Sequence, residues 1–136
     1  MDKYLLDTNI CIFFLRGKYD VDKQIRSIGI DNCCISEITI AELLYGVECD
    51  LLYAEENKKR VMEFVNIMSV IPISNALPVY AKEKFLLRKS GTLIDDMDIF
   101  IGATAIANDM ILVTDNEKHL NRLSKIKIEN WIERKN

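Results

Sequence analysis

One histidine, His119, and four cysteines without a single Cys-x-x-Cys spacing leave this sequence short of ligands for zinc. Structural zinc asks for four Cys or His side chains, usually in two spaced pairs. Cys11, Cys33, Cys34 and Cys49 instead read as small apolar residues in a reducing compartment. Proline (2) and glycine (5) are also scarce. There is no Pro/Gly linker, low-complexity stretch or internal repeat, so residues 1–136 read as one domain of mostly regular elements. That length buries a core without disulfides. No apolar run approaches the ~20 residues of a membrane-spanning helix. The start, Met1-Asp2-Lys3, is charged too early for a signal peptide. The expected location is therefore the cytoplasm, with no membrane partner. A net charge of −3 argues against a surface coated in positive potential. It leaves room for a nucleic-acid enzyme with local negative charge in its site and local positive charge beside it.

What is present is an alternation of short apolar runs and helical patterns. Tyr4-Leu5-Leu6 reads as a buried strand ending at Asp7. Asp7-Thr8-Asn9 then opens an apolar helix through Leu15. A charged helix is expected over 20–28, a strand over 33–35, and a helix from Glu37 to about Glu48 capped by Ser36. An amphipathic helix follows over 54–68, with a strand over 70–73. Further helices are expected from Ser74 or Asn75 to Ser90 and from Asp95 or Asp96 to Asn108. Met110 to Thr114 is the most strand-like segment. A short helix to Leu120 and a weak strand over 126–128 complete the chain. Strands alternating with helices predict an α/β fold with a short, mostly parallel central sheet flanked by helices. Ligands in such folds bind beyond the carboxyl ends of the strands, which directs attention to Asp7, Ser36 and Asp115.

Each acidic residue has a plain reading and a functional one. Asp7 and Asp115 follow strands and can simply cap helices. Glu42 borders the apolar face of its helix, as a solvated edge residue or as a ligand. Asp98 lies in the first turn of a helix that is apolar nearly all round, a pattern of buried helices. Asp95 and Asp96 are better placed to satisfy the helix N–H groups, which leaves Asp98 free for another task. Gly102 and Ala105 stack beside Asp98 at helical spacing and would leave it space. Carboxylates gathered from these places cannot all stay ionised without a counter-charge. A divalent cation supplies one, and an oxygen-only donor set favours Mg²⁺ or Mn²⁺.

The stretches Leu5-Leu6-Asp7-Thr8-Asn9, Ser36 to Gly46, Asp98 to Ala105, Leu112-Val113-Thr114-Asp115-Asn116 and Ile128-Glu129-Asn130-Trp131 follow one another in an order and spacing that cover nearly the whole chain. In these the sequence resembles the PIN-domain family, most closely the VapC toxins of VapBC toxin–antitoxin modules. The resemblance implies a metal-dependent endoribonuclease, with Asp7, Glu42 and Asp98 as the acidic core around Mg²⁺ or Mn²⁺. It also implies an RNA substrate, a VapB-like antitoxin and a homodimer. Many members have a fourth acid where this chain has Asn116. Either Asn116 takes that place or Asp115 turns inward to fill it.

On this reading Asp7 and Asp98 are the direct ligands, and Glu42 orients or deprotonates the attacking water or coordinates a second ion. Thr8, Asn9 and Thr114 hold the carboxylates. His119 reads as a surface residue near a helix end. Arg16 and Lys18, with Lys82, Lys84, Arg88 and Lys89, are candidates for phosphate contacts or plain solvated surface. The apolar first helix, with Phe13 and Phe14, is a docking place for an antitoxin, alone or in a groove with Leu43, Leu44 and the helix from Ala54; core packing is the alternative. Two rival functions remain at this point: a receiver-like phosphoacceptor domain, and a non-catalytic PIN-like domain that only binds RNA or protein. Cleavage of DNA instead of RNA is a third.

Overall fold

A computed structural model describes residues 2–134 of the chain. Its centre is a five-stranded sheet in the order β3-β2-β1-β4-β5, with β1 at Tyr4–Leu6, β2 at Cys33–Ser36, β3 at Ser69–Ile71, β4 at Ile111–Val113 and β5 at Ile128–Glu129. Every pairing is parallel. The helices are α1 (Thr8–Leu15), α2 (Val21–Ile28), α3 (Glu37–Glu48), α4 (Ala54–Ile67), α5 (Leu77–Lys89), α6 (Asp96–Ala107) and α7 (Glu117–Leu120). The expected α/β architecture is what forms.

Parallel strands need crossovers, and the helices those crossovers carry cover both sheet faces. Neighbouring residues of one strand therefore enter different cores. Leu6 packs with Ile10, Val21, Leu43, Val61 and Phe64 on the α1–α4 side. Leu5 packs with Leu87, Ile99, Ile101, Leu112 and Leu120 on the α5–α7 side. This explains why β1 is apolar without alternation. Strand order reverses beside β1, which has β2 on one side and β4 on the other. That reversal is the topological switch point, where open α/β sheets bind ligands. The order 3-2-1-4-5 also differs from the 2-1-3-4-5 order of receiver domains, so the phosphoacceptor rival falls on topology.

Several boundaries shift for physical reasons. Ser74–Ala76 is a 3-10 turn, and α5 begins at Leu77 with Pro78 in its first turn, where a missing N–H costs nothing. The last strand is Ile128–Glu129 instead of 126–128. Lys125 turns the chain with φ +60°, and the register then pairs Leu112 with Ile128. Among the described residues no helix is long and apolar enough to cross a membrane.

Candidate functional site

Asp7 is the last residue before α1 and the first after β1, at the carboxyl end of the switch-point strand. Its side chain caps the helix and is only 3% exposed. Oδ1 accepts from the Thr8 amide at 2.7 Å, and Oδ2 accepts from Thr114 Oγ1 at 2.8 Å and Asn9 Nδ2 at 3.3 Å. Burial raises its pKa, and these three bonds pull it part of the way back. Thr114 reaches Asp7 because β4 pairs with β1 and stops one residue earlier. Asp7 therefore caps α1 as expected and is buried as well.

Thr8 ties Asp7 to the neighbouring helix. Its Oγ1 donates to Glu42 Oε1 at 2.6 Å and lies 3.1 Å from Thr39 Oγ1. Glu42 is half-buried on α3, and desolvation raises its pKa against the Thr8 bond, with Asp7 and Asp95 adding to the rise. Asp98, in the first turn of α6, is pushed up to about 6 by burial first, then by Asp7, Asp95 and Glu42. Glu42 thus feels Asp7, and Asp98 feels both Asp7 and Glu42, and none of the ion pairs among the described residues involves Asp7, Glu42 or Asp98.

Asp95 lies near enough to act on two of these acids, which the sequence reading did not foresee. Neither it nor Asp96 does the capping expected of the pair. Asp95 makes no side-chain cap bond and its charge acts on Glu42 and Asp98. Asp96 is held by Lys84 at 2.9 Å and by Tyr80 at 2.8 Å, which removes Lys84 from the free cations. Gly102 also departs from expectation. A Cβ there would run into Leu123 Cδ1 and stand 3.3 Å from Leu120 Cδ1. The space beside it is packed with leucine, so Gly102 serves helix packing and opens no room for a ligand.

The two candidates for the fourth position point in different directions. Asn116 directs Nδ2 to Asp98 Oδ2 at 3.5 Å, the outer limit of a hydrogen bond, and to His119 Nδ1 at 3.3 Å. Asp115 does not turn toward the acids: Arg134 and Asn130 hold its carboxylate. Arg16 and Lys18 lie past the far end of α1, about 12 Å along the axis from Asp7, and are exposed with Lys82, Arg88 and Lys89.

The donor chemistry fits a hard divalent cation: carboxylate oxygens, burial, mutual repulsion and, among the described residues, no ion pair to Lys or Arg. The side chains are not already closed around one point, since no group of three or more His, Cys, Asp or Glu among the described residues is gathered tightly enough to hold a metal ion.

Comparison with known proteins gives the family. Residues 4–126 match the PIN domain. The chain is 30% identical to the tRNA(fMet)-specific endonuclease VapC of Salmonella typhimurium over 96% of this chain and 99% of that one. It is 32% identical to Ribonuclease VapC2 of Haemophilus influenzae over 97% and 100%. Among solved structures it superposes on DNA-bound VapBC from Salmonella typhimurium with a TM-score of 0.89 at 31% identity, covering 96% of this chain and 99% of that one. VapBC2 from Rickettsia felis, bound to a fragment of promoter DNA, gives 0.85 at 30% identity, covering 94% and 98%. With its acids at the switch point and nearly its whole length matched, this chain belongs to the PIN-domain family, alongside the VapC ribonucleases.

Proposed function

We propose that this chain is a metal-dependent endoribonuclease, the toxin of a type II toxin–antitoxin module, and that Asp7, Glu42 and Asp98 are its acidic core. The observation that carries the reading is that Asp7, Glu42 and Asp98, from three separate elements, lie near enough for their charges to act on one another, with no ion pair to Lys or Arg among the described residues. The names of the relatives supply the substrate class.

Asp7 and Asp98 would hold a Mg²⁺ or Mn²⁺ ion, with Glu42 and Asn116 at its margin. When bound, the ion polarises a phosphate oxygen and makes water more acidic. Thr8, Asn9 and Thr114 hold the carboxylates of Asp7 and Glu42 in place. Glu42 orients the attacking water or takes its proton, a role its raised pKa suits. The water attacks phosphorus in line with the leaving 3′-oxygen. Exposed Lys82 and Arg88 on α5, with Arg16 and Lys18 at longer range, supply positive charge for the RNA backbone.

The antitoxin docks, on this reading, in the groove between α1, α3 and α4, lined by Ile12, Leu15, Leu43, Val47 and Val61. Phe13 and Phe14 do not form a bare patch. Phe14 packs on Phe64 with ring centroids 5.2 Å apart, and Phe13 packs edge-on against Tyr19 at 4.8 Å. A homodimer partner would find exposed apolar side chains at Leu77, Phe85 and Leu93.

The test is incubation of the purified chain with total RNA and Mn²⁺. Discrete fragments that vanish with EDTA are expected. Intact RNA alongside cut DNA would move the activity to the other nucleic acid, and no cleavage of either would favour the binding-only domain.

A further inference from the structure

Asp115, one of the two candidates for the fourth position, is held from the C-terminal side. Arg134 grips Asp115 with both prongs: Nη1 donates to Oδ1 at 2.9 Å and Nη2 to Oδ2 at 2.5 Å. Asn130 Nδ2 adds a third bond to Oδ1 at 3.2 Å. The Asp115 side chain is only 16% exposed, so the pair is partly withdrawn from water on the acid's side. The guanidinium also lies over the Tyr19 ring, 5.6 Å from its centroid. Planar two-pronged pairing fixes direction as well as charge.

On its main-chain side Asp115 belongs to the acidic site. Its amide donates to Asn9 Oδ1 at 3.2 Å, and Asn9 Nδ2 donates in turn to Asp7 Oδ2. Thr114 before it holds Asp7, and Asn116 after it faces Asp98. A carboxylate in the middle of that run, left ungripped, would add a negative charge beside acids that already repel one another.

We propose that Arg134 is a positioning residue for the nuclease site: it neutralises Asp115 and commits that carboxylate to the C-terminal segment, so that uncharged Asn116 faces Asp98. The inference rests on the metal-dependent reading above. It makes a segment outside the acid-bearing motifs a determinant of how strongly the site attracts cations.

The test is titration of metal-free protein with Mn²⁺ by calorimetry, with circular dichroism confirming that each variant is folded. Arg134→Ala is expected to bind Mn²⁺ roughly three- to tenfold more tightly at low salt, the effect of one unneutralised charge near a partly solvated site. The gain should shrink in concentrated salt, where screening shortens the reach of the charge. Adding Asp115→Asn to Arg134→Ala should return the affinity to within about twofold of the parent. Arg26→Ala removes the same charge from the Asp22 pair on α2 and should leave the affinity unchanged. Parental affinity in folded Arg134→Ala, a gain that persists in the double variant, or an equal gain in Arg26→Ala overturns the inference. Failure of the parent protein itself to bind Mn²⁺ overturns the metal-dependent reading, and the inference with it.

Discussion

Thr8 and Glu42 are joined by a 2.6 Å hydrogen bond across 34 residues of sequence, while the Thr8 amide holds Asp7. One residue thus holds two acids from different elements, Asp7 through its amide and Glu42 through its hydroxyl. Thr8→Val keeps the shape and deletes the donor. It is expected to lower kcat for RNA cleavage roughly 10- to 100-fold, at a stability cost of about 1 kcal/mol. Thr8→Ser keeps the hydroxyl and should recover most of the rate. Equal activity of Thr8→Val and the parent in a steady-state assay would remove Thr8 from the site.

The acids also set how stability depends on pH. In the metal-free protein Asp7, Glu42 and Asp98 all hold protons more tightly when folded, first because of burial. The folded state therefore binds more protons than the unfolded one between 3.8 and about 6, the window set by Asp98. Stability from these groups is greatest below that window and falls as pH rises through it. Mn²⁺ at pH 7 should reverse the loss and raise Tm by mass action. The increment should fade as the pH drops below about 6, where Asp98 takes up its proton. A Tm indifferent to Mn²⁺ at pH 7 contradicts this.

Gly102 offers a test of packing alone. Gly102→Ala places a methyl against Leu123 and Leu120, and α6 is buried on this side. Overpacking of this kind costs about 1–3 kcal/mol, which outweighs the gain in helix propensity of up to about 1 kcal/mol. Urea denaturation should show the lower midpoint with an unchanged slope. A stabilised variant would show that the two leucines move aside freely.

Local patterns carried much of the site into the sequence. Asp7 stood out because a buried strand ended on it, and Asp98 because its helix is apolar nearly all round. Relations between distant residues did not show. Gly102 resembled an opening along one helix, since nothing local reveals that Leu120 and Leu123 fill it. Asp95 resembled a cap, because its influence on Glu42 and Asp98 depends on how α3 and α6 pack. The direction of the Asp115 carboxylate depends on Arg134, 19 residues further on.

Cleavage of one defined RNA in Mn²⁺, with the parent and Asp98→Asn assayed side by side at equal folded concentration, probes the shared acidic centre most directly. On this account the parent cuts, and the single exchange of oxygen for nitrogen lowers the rate at least a hundredfold without lowering the Tm of the metal-free protein at pH 7. Undiminished cutting by Asp98→Asn would contradict it.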